Sequence, residues 1–279
     1  MGVIEKLIEK GFEKETEILK GLKQDSIHMV TEKSTEEEFK IGESKIGGMP
    51  HLPKGYTWPT YQEKPLAFLA QINLAEFASY DLKKQLPEKG MLYFFHEGGE
   101  EIWGFDPKDE GGFLVEYIEE PMGLVQTDFP EALEDYMRFS PCKVTYEIKE
   151  SYPSDAYELN ETYFNGEGNN EFFEILFENE MCDTVNKLFG YPGLIQGDIF
   201  LESQLVTNGL YCGDPTGYND PRAKELEKGA GEWMLLFQID SDNNAEMMWG
   251  DVGRIYFTIK KEDLKNRRFA QAWSAFQCG

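Results

Sequence analysis

Long apolar runs broken by short polar clusters dominate two regions of this chain. Residues 232–257 read EWMLLFQIDSDNNAEMMWGDVGRIYF, which is an apolar run, an acidic cluster and a second apolar run. Within residues 234–239 both faces are apolar except at Gln238, which favours a central strand covered on both sides. A fainter copy lies at residues 66–73 and 90–95. The pattern therefore predicts strand, loop and strand in both places.

The rest of the chain mixes helical and strand periods. Apolar residues at helical spacing predict an N-terminal amphipathic helix over residues 1–24, with Gly11 a weak point in its middle. Other predicted elements are strands at 26–33 and 142–150, a hairpin over 101–119, and helices at 130–139, 171–189 and 199–206.

Three short patterns occur twice in the same order. They are Gly-x-Pro-x-Leu at 48–52 and 190–194, Gln-Ile-[Asn/Asp] at 71–73 and 238–240, and Gly-x-apolar-Tyr-Phe at 90–94 and 253–257. We interpret them as an internal duplication with approximate units 42–150 and 171–279 in a single domain. The predicted fold class is α+β: mixed, largely antiparallel sheets with helices, built from two duplicated and closely packed units.

Charge narrows the choice of partner. The net charge is −25, from 52 acidic and 27 basic residues. Residues 97–135 contain thirteen acidic residues and a single basic one, Lys108. Such a field repels nucleic acid and anionic membranes, so we expect neither as a partner. It attracts a basic protein surface. The plainer alternative is a solvated acidic surface.

Cysteine usage and the chain start favour a cytoplasmic protein. The four cysteines are far apart and form no CxxC pair, which disfavours a metal knuckle or a disulfide framework. The N-terminus is charged and helix-like, unlike a signal peptide, and no apolar run reaches membrane-spanning length. We expect no cofactor.

The acidic cluster offers a pattern suited to a hard cation. Asp240, Asp242, Asn244 and Asp251 fall at positions 1, 3, 5 and 12 of a calcium-loop template. Position 6 is Ala245 where the template requires glycine, and the flanks are predicted strands. The alternative is an acidic turn whose side chains cap their own backbone.

Ligand-binding candidates cluster at the repeated motifs. They are His51 between two prolines, Trp58 in an aromatic-proline segment, and the strand-end residues Gln71, Asn73, Gln238 and Asp240. Each has a structural alternative, since a Gln at the end of a buried strand commonly satisfies neighbouring backbone. No nucleophile elbow, zinc-protease helix or P-loop is present in the sequence. Catalytic residues remain unassigned.

Six segments together resemble the bacterial YwqG family, a group of unknown function. They are GGMPHLPKGYTWP, PLAFLAQINL, LPEKGMLYFF, FGYPGLIQGD, LLFQIDSD and WGDVGRIYFTIKKEDLKNRRF, spread over residues 47–269. The resemblance implies a mixed α+β fold with an internal repeat. It implies no activity, cofactor or catalytic residue. One departure is the single glycine of Gly190-Tyr191-Pro192, where the first repeat has Gly47-Gly48.

Three hypotheses follow. The first is a non-catalytic binding protein, such as an immunity or inhibitor protein, that recognises a basic protein through its acidic face. The second is a small-ligand binder or enzyme with a cleft between the two units, because pockets favour such seams. The third is cation binding through the loop from Asp240 to Asp251.

Overall fold

The computed structural model describes residues 2–98, 101–153, 156–164, 166–181 and 184–279. Its strands pair antiparallel throughout. The strands are β1 (Gln24–Lys33), β2 (Lys45–Ile46), β3 (His51–Pro53), β4 (Thr60–Tyr61), β5 (Lys64–Pro65), β6 (Ala67–Asn73), β7 (Met91–His96), β8 (Phe113–Ile118), β9 (Leu124–Gln126), β10 (Cys142–Ser151), β11 (Lys187–Leu188), β12 (Trp233–Asp240), β13 (Arg254–Lys260) and β14 (Trp273–Gln277).

Ten strands form one sheet in the order β14-β13-β12-β11-β1-β10-β2-β6-β7-β8, and two short pairs, β3-β9 and β4-β5, stand apart. The α-helices are α1 (Val3–Glu9), α2 (Glu13–Leu22), α3 (Leu74–Phe77), α4 (Ala156–Tyr163), α5 (Asn170–Met181), α6 (Ile199–Val206), α7 (Pro215–Tyr218), α8 (Ala223–Leu226) and α9 (Lys261–Lys265). The predicted α+β class with a largely antiparallel sheet is confirmed.

The sheet curls until its two edge strands nearly meet. The backbone N–H of Phe276 in β14 donates to the carbonyl of Trp103, at 2.9 Å, and the two rings stack with centroids 4.5 Å apart. Beside them, the rings of Phe113 in β8 and Trp273 lie edge to face at 5.1 Å. These contacts bring the first and last strands of the sheet together.

Aromatic side chains fill the space inside the curl. Phe94 of β7 contacts Phe237 of β12 and Phe257 of β13, with ring centroids 4.5 and 5.2 Å apart. All three are fully buried. Burying one such side chain contributes about 1.5–3 kcal/mol, so the contact fixes the two ends of the sheet against each other.

The N-terminal segment forms two helices, not the single helix predicted over residues 1–24. The break lies at Gly11, whose φ of +86° ends the α-helical conformation. The two helices pack with α5 as a separate small core, in which the rings of Phe12 and Phe172 are 5.7 Å apart. The amphipathic stripe is thus buried against helix α5.

Three further predicted elements are wrong. Residues 101–105 form no strand, because Trp103 turns aside to the edge of β14, and β8 pairs with β7 instead. The helix predicted at 130–139 is one 3₁₀ turn, Asp135–Met137. The helix predicted to run from 171 to 189 ends at Met181, and Lys187–Leu188 is a strand that joins β1 to β12. Sheet pairing there outweighs the helical spacing of the apolar residues.

Each proposed repeat unit supplies strands to one end of the sheet. Strands β2, β6, β7 and β8 form one end and β11 to β14 the other, with β1 and β10 between them. The duplication and its boundaries, 42–150 and 171–279, stay predictions. Within the described ranges, no helix is both long enough and apolar enough to cross a bilayer.

Candidate functional site

Gln71 is bound to backbone on both sides of its amide. Its Oε1 accepts from the His51 backbone N–H at 2.7 Å, and its Nε2 donates to the Glu43 carbonyl at 2.7 Å. The hydroxyl of Tyr93, opposite Gln71 in β7, donates to the His51 carbonyl at 2.7 Å. The side chain is fully buried. The amide therefore fixes the loop before β3 onto the sheet.

Gln238 makes the corresponding bonds at the other end. Its Oε1 accepts from the Gly193 N–H at 2.8 Å, and its Nε2 donates to the Val185 carbonyl at 2.9 Å. Tyr256, opposite Gln238 in β13, donates to the Gly193 carbonyl at 2.7 Å. Four strands separate β6 from β12 in the sheet, so the two glutamines serve separate loops.

The other strand-end candidates also bind neighbouring groups. Asn73 caps α3 by accepting from the Ala75 N–H at 3.1 Å. Asp240 is buried and pairs with Arg254, Oδ2 to Nε 3.0 Å, while the same oxygen accepts from the Val185 N–H at 2.9 Å. The ligand roles suggested for these residues stay predictions.

The acidic loop ties its carboxylates to nearby donors. Asp242 accepts from the Thr31 hydroxyl at 2.8 Å and from the side-chain amide of Asn186 at 2.9 Å. Its Oδ1 accepts from the backbone N–H of Asn244 at 2.8 Å, the self-capping turn that was the alternative. Asp251 is exposed. Across the described residues, no group of three or more His, Cys, Asp or Glu is arranged to bind a metal ion.

His51 and Trp58 belong to the segment that packs against β6 and β7. His51 Nδ1 accepts from the Gly42 N–H at 3.0 Å, and burial is the main cause that lowers the His51 pKa to about 4. Trp58 donates from Nε1 to the Leu66 carbonyl at 2.8 Å and packs edge to face on Phe95 at 5.6 Å. The Trp58 side chain is half-buried. The segment therefore closes the core on its inner side.

A cleft of about 170 Å³ opens beside this segment, between β4–β5 and the Asp135–Met137 turn. Glu97, Glu101 and Glu134 line it, with Tyr61 and the exposed Tyr136. Partial burial, followed by the charges of Glu97 and Glu134, raises the pKa of Tyr136. Lys64 also lines the cleft and pairs with Glu101 at 3.3 Å. We call this site the acidic cleft.

The Asp135–Met137 turn, which forms one wall of the acidic cleft, is anchored to the core by its buried neighbours. Leu133 and Met137 are buried, which leaves Glu134 and Tyr136 on the outside. The Met137 N–H donates to the Glu134 carbonyl at 3.0 Å, and Arg138 donates from Nη2 to the Leu133 carbonyl at 2.7 Å. The wall therefore presents a carboxylate and a tyrosine from a tight, anchored turn.

Residues 44–278 match the model of a family described as a domain of unknown function, DUF1963. The chain belongs to the DUF1963 family. The match covers most of the chain and includes the acidic cleft, Gln71 and Gln238. No curated protein matches this DUF1963 chain.

A half-buried acid in this DUF1963 chain was not among the sequence-based candidates. Glu202 lies on α6, and burial, followed by the charges of Asp198 and Asp109, raises its pKa to about 7. Glutamates are so frequent in this sequence that none could be singled out. The useful signal is its place in a mostly buried helix, IFLESQLV, where it is the only charged residue. The acidic cleft was missed in part, because the excess of acids between residues 97 and 135 does not say which carboxylates meet.

Proposed function

We propose that this DUF1963 protein is a non-catalytic binding protein that recognises a basic protein through the acidic cleft. The observation that carries the proposal is the cleft itself, where Glu97, Glu101 and Glu134 converge with two tyrosines. Carboxylates suit a cationic side chain, and tyrosine rings add apolar contact and cation–π attraction. The proposed contact is a lysine or arginine of the partner inserted between Tyr61 and Tyr136.

Surface charge supports this choice of partner. Many bases are already paired with acids of the same chain, for example Lys10 with Glu171 at 2.9 Å and Lys89 with Glu120 at 3.0 Å. The net charge of −25 therefore leaves many carboxylates in excess over bases. Such a field raises the association rate of a basic partner and weakens as salt is added.

We infer that the partner is a basic toxin or enzyme that the protein inhibits or neutralises, and that both act in the cytoplasm. The motifs shared with the YwqG family support membership of that group within DUF1963.

The acidic cleft is tested with a fluorescent oligoarginine peptide, followed by anisotropy at low and at physiological salt. We expect binding that weakens with salt, and at least about fivefold weaker binding to the Glu134→Gln, Tyr136→Ala double variant. Glu13→Gln, an exposed acid of α2, is the matched control and should bind within about twofold of the unmodified protein. Equal affinity of the cleft variant and the unmodified protein overturns the proposal.

A second candidate function is binding of a small ligand where the two sheet ends meet. A cleft of about 560 Å³ lies there, lined by Phe113 and Leu114 of β8, Thr207 after α6, and Gln271 and Trp273 before and in β14. Fragment screening by ligand-observed NMR tests it with Thr207→Trp, which fills the cleft from an exposed position. Hits that bind the unmodified protein and are lost in this variant support the candidate, and hits that persist in the variant exclude this cleft.

A further inference from the structure

The central strand β10 has an open edge along most of its length. On one side it pairs with β1 over ten residues, from Cys142 to Ser151. On the other side its partner β2 is two residues long and reaches only Cys142 and Lys143. Among the described residues, no strand pairs with β10 beyond Lys143 on that side. An open edge is a template for another strand.

The hydrogen-bond pattern tells which groups face this edge. Ser34 donates its N–H to the Pro141 carbonyl at 3.0 Å, which sets the alternation of the β1–β10 ladder. Every second residue of β10 therefore bonds to β1, and the residues between them point their N–H and C=O groups to the other side. These outward-facing residues are Val144, Tyr146, Ile148 and Glu150. On β1 the same alternation turns Met29 outward, and its N–H indeed donates to the Asn186 carbonyl at 2.8 Å.

Along this edge, Val144 and Tyr146 are partly buried, and the four side chains that follow Tyr146 are accessible. Ile148 is 42% exposed, which is unusual for an isoleucine inside a strand. Its neighbours Glu147 and Lys149 have about half of their side chains exposed and form an ion pair at 3.2 Å. Charged residues usually block open edges. Here the two charges have opposite signs and lie two residues apart on one face.

We propose that this edge pairs antiparallel with the same edge of a second copy of the chain, with Ile148 on the two-fold axis. In that register Glu147 lies opposite Lys149 of the second copy, and Lys149 lies opposite Glu147 of the second copy. Opposite charges in directly opposed positions stabilise a sheet, and like charges destabilise it. Ile148 then meets its own copy, which covers its exposed surface.

Neighbouring registers lack this complementarity. An axis at Glu147 places Glu147 opposite itself, and an axis at Lys149 places Lys149 opposite itself. An axis at Tyr146 brings Lys149 to Lys143, where β2 already occupies the edge. An axis that falls between two residues is also excluded. It would place a residue whose backbone bonds to β1 opposite one whose backbone faces away from β1, which an antiparallel ladder does not allow. The charge pattern therefore selects one pairing. This inference does not depend on the acidic cleft, which lies elsewhere in the chain.

Sedimentation velocity over a concentration series up to about 1 mM tests the pairing. The ionic strength is held at about 0.15 M, where the Debye length is about 8 Å and the general repulsion between two acidic molecules is screened. We expect a concentration-dependent dimer. Glu147→Lys and Lys149→Glu should each weaken it about tenfold or more, because each places like charges opposite one another. The double variant Glu147→Lys, Lys149→Glu should restore dimerisation to within about threefold of the unmodified protein.

Two further variants separate a loss of dimerisation from a loss of folding. Ile148→Pro removes an N–H that β1 does not use, so it should abolish the dimer while the monomer stays folded by circular dichroism. Lys228→Glu, an exposed residue paired with Glu225, should leave dimerisation unchanged. A monomer throughout the concentration series overturns the proposal. So does a double variant that dimerises as weakly as the single variants.

Discussion

Gln71 and Gln238 hold corresponding places in two distant strands. Each lies opposite a tyrosine in the next strand and opposite a lysine, Lys45 or Lys187, in a two-residue strand on its other side. Each spans a backbone N–H and a backbone carbonyl of the loops that lead into and out of that short strand. The two side chains thus fasten the loops against opposite ends of the sheet.

Replacing either glutamine with leucine should destabilise the fold by about 2–4 kcal/mol, since two buried backbone groups lose their partners. Urea denaturation followed by circular dichroism measures the free energy of unfolding for Gln71→Leu and Gln238→Leu. Gln271→Leu, at an exposed position, is the control and should change it by less than about 0.5 kcal/mol. Losses that small in the buried variants would show that these amides do not secure the loops.

Much of the sheet could be predicted because its strands carry their own signals. Strand β7 is apolar at nearly every position, and its predicted range of 90–95 lies within one residue of the observed one. Helix α6 has the predicted bounds, 199–206. In these elements local preference and burial agree, so one sequence window contains the information.

The errors arise where distant partners decide the conformation. Residues 101–105 have a strand-like pattern, yet the contact of Trp103 with Phe276 draws them to the sheet edge. Lys187 and Leu188 continue a helical pattern, yet β1 and β12 take them as a strand. The acidic cleft is of the same kind, because its carboxylates come from segments more than thirty residues apart in the sequence.

The buried pair of Asp240 and Arg254 should be essential to stability. Asp240→Ala leaves the guanidinium buried without its carboxylate, and we expect a loss of about 3–5 kcal/mol in the free energy of unfolding. The double variant Asp240→Ala, Arg254→Met should lose less than the sum of the two single variants. Glu171→Ala, which breaks the exposed pair with Lys10, should cost less than about 1 kcal/mol. A similarly small loss for Asp240→Ala would contradict this.

Glu202 should make the protein less stable as the pH rises from about 4.5 to about 7. Its pKa in the fold, about 7, lies above the ordinary value of 4.5. Between these values the folded protein keeps a proton that the unfolded chain has lost, so stability falls with increasing pH and the penalty is complete above pH 7. Glu202→Gln should therefore raise the free energy of unfolding by about 1–3 kcal/mol at pH 8 and change it little near pH 5. Glu225→Gln, at an exposed position, should change it at neither pH. A pH-independent difference for Glu202→Gln would mean that the charge of Glu202 is not the cause.

His96 should act in the opposite direction. It is fully buried, its Nδ1 accepts from the Gly98 N–H at 3.0 Å, and its Nε2 has no hydrogen-bond partner among the described residues. Burial lowers its pKa to about 3 from the ordinary 6.5. Below pH 6.5 the imidazole is protonated in the unfolded chain and stays neutral in the folded protein. The free energy of unfolding therefore falls as the pH falls, by about 1.4 kcal/mol per pH unit.

The variant His96→Asn retains an acceptor for Gly98 and does not titrate in this range. Between pH 7 and pH 5.5, safely above the pI of about 4.5, its free energy of unfolding should fall less steeply than that of the unmodified protein, by the slope of one proton. Proton NMR of the folded protein gives the direct reading, in which the His96 ring signals should stay in place over the same interval. Ring signals that titrate near pH 6.5 would show that the imidazole is open to solvent, and the slope of the His96→Asn variant would then match that of the unmodified chain.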